Sequence, residues 1–191
     1  MRIVAGAHRG RTLVAPKGQS TRPTADRTRQ ALFNVLEHAA WSPGLIGVRV
    51  LDLFAGSGAL GIEALSRGAK HCLLVDNDAG AVAAIHDNIA ALRLGAAAAV
   101  QRRDATKPTA RPPGEAPFDL VFLDPPYAKG LAEPTLAALT GGGWLEEEAL
   151  VVVERGAGES DLVASDLTLI DTRTWGAARM WFLKPAPAKP A

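Results

Sequence analysis

Short runs of apolar residues alternate with amphipathic segments along most of the chain. The apolar runs predict strands at Val50–Phe54, Cys72–Val75, Ala98–Arg102, Phe118–Leu123 and Ala149–Glu154. Residues with helical spacing predict a helix that opens within Ala55–Gly61 and continues through Leu65, one from Asp78 to a stop at Gly95, and one over Leu131–Leu139. Two final runs, Leu167–Asp171 and Arg179–Lys184, have the pattern of an antiparallel pair. The sequence therefore predicts an α/β fold with a mostly parallel seven-stranded sheet and an antiparallel edge.

The N-terminal part has a different pattern. Two short strands are predicted at Arg2–Ala5 and Arg11–Val14, followed by a loop to residue 23. A helix then begins at Thr24 or Asp26, either of which can cap it, and runs to about Ala40. We therefore divide the chain into a basic β-hairpin and loop over residues 1–23, a main domain over 24–184 and a disordered tail over 185–191.

Composition sets broad limits on the class of protein. The chain has 191 residues, of which 48% are hydrophobic and 21% charged, the balance of an ordinary globular protein. Its single cysteine precludes a disulfide within the chain, and the four histidines show no metal-ligand spacing. No apolar run reaches the ~18 residues that a membrane span requires. We expect a cytoplasmic protein without a membrane partner or a metal.

Charge is distributed unevenly along the chain. Residues 1–29 contain seven Lys and Arg side chains but one acidic residue, Asp26, whereas the whole chain has a net charge of +1. A basic N-terminal arm on an acidic body indicates a polyanionic partner such as a nucleic acid. The alternative is a solvated basic surface without a partner.

A glycine-rich stretch, VLDLFAGSGALG, connects the first strand to the next helix. Its glycines at Gly56, Gly58 and Gly61 have the spacing G-x-G-x-x-G, and Asp76 follows Gly56 by 20 positions. In this position, glycines permit a tight turn, a close approach of a ligand to the backbone, and close packing of helix on strand. The stretch predicts a nucleotide-type ligand; the alternative is a tight turn that binds nothing.

Acidic residues lie in the first predicted parallel strand and at the ends of the next three. Asp52 lies in the first, and Asp76, Asp104 and Asp124 follow the second, third and fourth. Ligands of such folds bind at the carboxyl ends of the strands, so these residues should converge. Asp76 is suited to accept hydrogen bonds from a ribose, while Asp104 is either an acceptor for an adenine amino group or a turn residue.

The fourth strand runs directly into Asp124-Pro125-Pro126-Tyr127. The two prolines fix the backbone and lack N–H donors, which leaves carbonyl oxygens as acceptors. A carboxylate, proline carbonyls and an aromatic ring together suit a planar group with an amino substituent. Asp124 and the Pro125 carbonyl would accept the amino hydrogens while Tyr127 stacks on the ring. The alternative is a rigid turn with a buried tyrosine.

These motifs resemble those of a known family. Asp-Pro-Pro-Tyr after the fourth strand and a glycine loop after the first are typical of S-adenosylmethionine-dependent amino methyltransferases. The segments MRIVAGAHRGR, TRPTADRTRQALFN, LDLFAGSGALGIEALSRGA, LVDND, DPPY and GGWLEEEALVVVE are similar to the RsmD type, over Met1 to about Glu154. Relatives commonly carry Glu at the position of Gln30, and the proline-rich loop 107–117 is individual to this chain.

The resemblance implies a Rossmann-like class I methyltransferase fold and methylation of a guanine N2 in small-subunit ribosomal RNA, naked or within an assembled particle. It also implies roles for individual residues. The amino-acid end of S-adenosylmethionine would be held by Asp52, Phe54, Ala55, Gly56, Ser57 and Gly58. Its nucleoside would be held by Asp76 at the ribose and by Asn77 and Asp104 at the adenine. RNA would be contacted by Arg2, Arg9 and Arg11 on the hairpin and by Arg22 and Thr24 beside the site.

Three other functions remain open at this stage. The Asp-Pro-Pro-Tyr motif serves adenine amino groups equally well, so a DNA adenine-N6 methyltransferase is the main alternative. A nicotinamide-dependent dehydrogenase would use Gly56, Gly58 and Gly61 but leaves Asp124–Tyr127 unexplained. A non-catalytic RNA-binding module would not need either motif intact.

Overall fold

The computed structural model describes residues 1–16, 23–107 and 109–187, and the side chains of residues 23–25 are outside this description. The helices are α1 (Pro23–His38), α2 (Ala59–Ser66), α3 (Ala79–Leu92) and α4 (Ala132–Gly141). The strands are β1 (Arg49–Leu53), β2 (His71–Asp76), β3 (Ala98–Arg102), β4 (Phe118–Leu123), β5 (Leu145–Gly156), β6 (Leu167–Trp175) and β7 (Ala178–Pro185). No helix in the described ranges is long and apolar enough to cross a membrane.

The strands form one sheet in the order β3-β2-β1-β4-β5-β7-β6. Neighbouring strands from β3 to β5 are parallel, and β7 is antiparallel to both β5 and β6. This confirms the predicted seven-stranded, mostly parallel sheet with an antiparallel edge. The chain moves outward from β1 to β3 and then returns to place β4 on the other side of β1. The carboxyl ends of β1 and β4 therefore form the switch point at which ligands of such folds bind.

Alternation of side chains along the strands builds a core on each face of the sheet. Leu120 and Phe122 of β4 point to the face covered by α1, α2 and α3, where the Phe122 ring lies 5.7 Å from that of Phe33. Val121 and Leu123 point to the opposite face, which α4 covers. Because both faces are covered, the strands read as nearly continuous apolar runs, which is why the sequence reveals them.

The N-terminal segment, residues 1–16, packs on the first of these cores. Ile3 and Leu13 are buried there. Of the two predicted strands, the structure retains a single antiparallel bridge between Arg2 and Thr12. The Ile3 amide still donates to the Arg11 carbonyl at 3.0 Å, whereas the amides of Val4 and Ala5 donate to the Glu63 carboxylate on α2 at 2.7 and 2.9 Å. The hairpin is thus fastened to the helix that follows the glycine loop.

Two further boundaries differ from the sequence prediction. Helix α3 ends before Arg93, which adopts the left-handed conformation (φ 58°), so Gly95 is not its stop. Strand β5 begins at Leu145 because Phe118 of β4 pairs with it, across a register shift. The sequence predicts a disordered C-terminal tail from Pro185, but Pro185 is the last residue of β7. Residues 188–191 of the predicted tail lie outside the described ranges.

Candidate active site

The glycine loop turns sharply between β1 and α2. Phe54, Gly56 and Gly58 all have positive φ angles, of 59°, 57° and 77°. Such a conformation is costly for phenylalanine and is typical of functional sites. The turn is held by the Gly58 amide, which donates to the Ala55 carbonyl at 2.7 Å, and by the Ala55 amide, which donates to Val75 in β2. The loop is therefore preformed at the carboxyl end of β1.

Asp52 lies beneath this loop, buried in β1. Its Oδ2 accepts a hydrogen bond from the Gly61 amide at 2.8 Å, which ties the first turn of α2 to the strand. Burial raises the pKa of Asp52 to about 7, although the Gly61 hydrogen bond opposes the shift. A carboxylate at this depth stabilises the loop and adds negative charge beneath it.

Gly61 allows α2 to approach the sheet closely. A Cβ at this position would lie 2.6 Å from Cys72 Sγ and 3.1 Å from Asp52 Oδ2. We expect Gly61→Ala to lower the free energy of unfolding by about 1–3 kcal/mol through overpacking. Urea unfolding measures the loss, with Gly95→Ala as the matched control because nothing lies within 4 Å of its Cβ position. Equal stabilities of the two variants would contradict this packing role.

Asp76, at the end of β2, is fixed by two backbone donors. Its Oδ2 accepts from the Gly56 amide at 2.8 Å, and its Oδ1 accepts from the Asp78 amide at 2.9 Å. Asp78 itself caps α3 by accepting from the Ala81 amide, as the sequence predicted. A carboxylate has further lone pairs beyond these two bonds, so Asp76 can still accept from a ligand hydroxyl.

The other two residues expected to contact the nucleoside of the cofactor, Asn77 and Asp104, are at the surface beside Asp76. Asn77 is exposed, and its carbonyl accepts from Arg102 Nε at 3.2 Å. Asp104 Oδ1 accepts from the amide and the hydroxyl of Thr106, at 3.0 and 2.7 Å, and these bonds lower the pKa of Asp104. Asp104 therefore forms the turn that the sequence analysis left open, and a role toward adenine stays a prediction.

The Asp124-Pro125-Pro126-Tyr127 segment leaves β4 next to the glycine loop. The Asp124 amide donates to the Leu53 carbonyl at 3.4 Å, which joins the two segments. Asp124 is half-buried and Pro125 is buried, whereas Pro126 and Tyr127 are exposed. Because Tyr127 is 46% exposed, the alternative of a turn with a buried tyrosine is wrong, and its ring is accessible for stacking.

Glu154, the residue that follows Val153 in β5, is a site residue that the sequence analysis missed. Its Oε1 accepts a hydrogen bond from the Tyr127 hydroxyl at 2.5 Å. Leu123 and Val153 are paired in parallel register, so Asp124 and Glu154 are neighbours at the sheet edge. The available signal was an acidic residue after the apolar run ALVVV, in the strand adjacent to Asp124.

Three carboxyl groups, those of Asp52, Asp124 and Glu154, lie at this end of the sheet. Burial raises the pKa of Asp124 well above its usual range, and repulsion from Glu154 and then Asp52 adds to the shift. Burial also raises the pKa of Glu154, while the Tyr127 hydrogen bond opposes the increase. N–H donors or a positive charge brought to this cluster would favour the ionised forms.

The N-terminal segment reaches the glycine loop through Asn88 on α3. The side-chain Nδ2 of Asn88 donates to the backbone carbonyls of Val14 and Ser57, at 3.0 and 2.9 Å. Its Oδ1 accepts from the backbone amide of Val14. The Ser57 hydroxyl lies 3.5 Å from the Met1 sulfur. Exposed on this segment are Arg2, Arg9 and Arg11. The predicted contacts of Arg22 and the Thr24 side chain lie outside the described residues.

The order of the strands, with β7 inserted antiparallel between β5 and β6, is that of the class I methyltransferases. Solved structures bear this out. The structure of yhhF from Escherichia coli covers 97% of this chain and 97% of its own, with a TM-score of 0.80 and 35% identity.

Within that class the chain belongs to the RsmD family. The model of the family described as conserved hypothetical protein 95 matches residues 1–184, so the similarity includes β6 and β7, where the resemblance in sequence is weak. The ribosomal RNA small subunit methyltransferase D of Escherichia coli K12 is 41% identical over 158 residues, which are 81% of this chain and 74% of that protein. The protein YlbH of Bacillus subtilis is 40% identical over 179 residues, 92% of this chain and 94% of its own.

Proposed function

We propose that this protein transfers a methyl group from S-adenosylmethionine to the exocyclic N2 of a guanine in small-subunit ribosomal RNA. The observation that carries the proposal is the contact between the Asp124–Tyr127 segment and the end of β1, where the glycine loop begins. The segment proposed to bind the target amino group and the loop proposed to bind the cofactor thus lie at the same carboxyl end of the sheet. The choice of substrate is supported by the relatives of Escherichia coli and Haemophilus influenzae that are named ribosomal RNA small subunit methyltransferase D.

The residues at the glycine loop fit S-adenosylmethionine. Its ribose would be bound by Asp76, whose orientation is fixed by Gly56 and Asp78. Its sulfonium carries a positive charge, which would lower the repulsion among the carboxyls of Asp52, Asp124 and Glu154. When bound, the cofactor supplies an electrophilic methyl group. The amino-acid end would lie over Phe54–Gly58, with the adenine near Asn77 and Asp104.

The protein groups at β4 act on the guanine. The Asp124 carboxylate and the Pro125 carbonyl would accept the two N2 hydrogens and so direct the nitrogen lone pair toward the methyl donor. A guanine N2 is a weak nucleophile because its lone pair is delocalised into the ring. Acceptors that strengthen as positive charge develops on the nitrogen stabilise the transition state more than the ground state. Tyr127 would hold the guanine ring by stacking. Placement of the guanine N2 ~3 Å from the methyl carbon would supply much of the remaining acceleration.

Ribosomal RNA would be bound along the N-terminal segment. Arg2, Arg9 and Arg11 are exposed there and can neutralise phosphates without regard to sequence. The target base has to be unpaired or flipped out to reach Asp124, because the atom to be methylated is otherwise held in a stack. A cytoplasmic location follows from this substrate.

The test is a methylation assay with labelled S-adenosylmethionine and small ribosomal subunits from cells that lack this protein. We expect label in N2-methylguanosine after digestion to nucleosides. Label in N6-methyladenosine, or on duplex DNA alone, would favour the adenine-N6 alternative. Calorimetry should detect binding of S-adenosylmethionine, and binding of NAD in its place would support the dehydrogenase. Unlabelled guanine in every RNA preparation contradicts the proposal.

A further inference from the structure

Two carboxyl groups stand side by side where the target base would bind. Asp124 and Glu154 follow the paired residues Leu123 and Val153 on adjacent parallel strands. The nearest described cation in sequence is Arg155, and its guanidinium is directed to Glu133 at 3.0 Å and Glu159 at 3.3 Å. Arg155 is therefore engaged by carboxyls other than those of Asp124 and Glu154.

Glu154 accepts one hydrogen bond, from Tyr127, and retains acceptor capacity. The Tyr127 hydroxyl donates to Oε1, and no described residue donates to Oε2. A carboxylate offers about four lone-pair sites, so one hydrogen bond leaves room for another donor. Since Tyr127 is exposed and its hydroxyl bonds to Glu154, a base stacked on the tyrosine ring would have its edge near the carboxylate.

The Watson–Crick edges of the two candidate bases differ next to their amino groups. Guanine presents the N1–H donor beside its N2 amino group, whereas adenine presents the N1 lone pair beside its N6 amino group. The N–H donors of a bound guanine would favour the ionised forms of both carboxyls, and two adjacent carboxylates are acceptors that match the adjacent donors of guanine. The same pair would place negative charge against the adenine N1 lone pair, and a repulsive element of this kind produces specificity.

We propose that Glu154 accepts the N1–H of the target guanine and makes the site select guanine over adenine, while Asp124 and the Pro125 carbonyl accept the N2 hydrogens. This inference rests on the proposed function, because it assigns the specificity of the same site. Glu154 would supply the discrimination between guanine and adenine that the Asp124–Tyr127 motif lacks, since that motif suits the amino group of either base.

The test uses Glu154→Gln and two substrates, small ribosomal subunits with the native target guanine and subunits with adenine at that position. Glutamine keeps an oxygen that can accept from Tyr127 and adds an N–H₂ group that can donate to adenine N1. We expect kcat/KM on guanine to fall roughly tenfold to a hundredfold, the loss of one hydrogen bond to a charged group. Methylation of the adenine subunits should rise above the wild-type background.

Two other variants separate base recognition from an indirect effect. Glu148→Gln changes an exposed carboxyl on the same strand and should match the wild type. Tyr127→Phe removes the hydroxyl that bonds to Glu154; whatever its turnover, it should still reject adenine as the wild type does. Cofactor titration and thermal melting confirm that each variant is folded.

The outcomes are distinct. A Glu154→Gln variant whose guanine-to-adenine ratio equals that of the wild type overturns the inference. An equal loss of selectivity in Tyr127→Phe also overturns it, because Glu154 would then act only through the tyrosine ring. If wild-type protein leaves the guanine unmethylated, the proposed function itself fails, and this result is visible before any variant is compared.

Discussion

Replacing Asp124 with alanine is expected to reduce the rate of methyl transfer by at least about a hundredfold while cofactor binding is kept. The carboxyl is half-buried at the end of β4, beside the glycine loop but not part of it. Its loss would remove the acceptor proposed to orient the amino group and to stabilise the positive charge that develops on nitrogen. Binding of the cofactor is proposed to depend on the loop and on Asp76, which the substitution leaves intact.

Single-turnover methylation and calorimetric titration of S-adenosylmethionine measure the two effects separately. Asp124→Asn should recover part of the rate because it keeps one acceptor oxygen. Asp161→Ala is the control, since the Asp161 side chain is 80% exposed and pairs only with Arg179 among the described residues. Full turnover by Asp124→Ala would show that its assigned role is wrong.

The same substitution should not weaken the fold. Burial and the neighbouring carboxyls raise the pKa of Asp124, so its ionised form is less favourable in the folded protein than in the unfolded chain. Above the raised pKa, this carboxyl lowers the free energy of unfolding, and its removal eliminates that cost. A melting temperature at or above that of the wild type at alkaline pH therefore distinguishes lost chemistry from lost structure.

Replacing Glu63 with alanine should have the largest effect on stability, about 3–5 kcal/mol. Glu63 is fully buried on α2. Its carboxylate accepts from the amides of Val4 and Ala5 and from Arg67 Nε at 2.8 Å, and it lies 3.6 Å from Arg29 Nε. Its removal would leave two buried guanidinium groups short of a counter-charge and two amides without an acceptor.

Denaturant unfolding followed by circular dichroism measures this loss. Glu37→Ala is the matched control because Glu37 also pairs with Arg67, at 2.9 Å, but its side chain is 36% exposed. Because the Glu37 carboxylate is partly solvated, its removal should cost less than removal of the fully buried Glu63 carboxylate. Equal losses in the two variants, or a loss below about 1 kcal/mol for Glu63→Ala, would contradict the role of Glu63 in holding the N-terminal segment on α2.

The parts of the fold that the sequence revealed are those with local signals. Strands buried on both faces, such as β4, are continuous apolar runs, and the glycine loop and Asp78 cap have fixed spacings. Once strand and helix alternate, topology brings the strand ends together without further information. The positions of Asp52, Asp76 and Asp124 at one edge were therefore predictable before any coordinates.

The contacts that the sequence did not reveal depend on distant residues. Nothing near Val4 indicates that its amide bonds to Glu63, and a buried glutamate in α2 has no local signal. Glu154 became recognisable only when the β4–β5 register placed it beside Asp124. Asp104 had two local interpretations, and its hydrogen bonds to Thr106 could be assigned only from the geometry.

The fastening of the N-terminal segment also orders the events of folding. Its hydrogen bonds to Glu63, Ser66 and Asn88 join residues 58 to 74 positions apart. Such long-range closures carry a high entropic cost and form late. During synthesis, residues 1–16 cannot complete these contacts until α3, which carries Asn88, has emerged. The arginines of this segment therefore reach their final positions only after the strands and helices on which it rests have assembled.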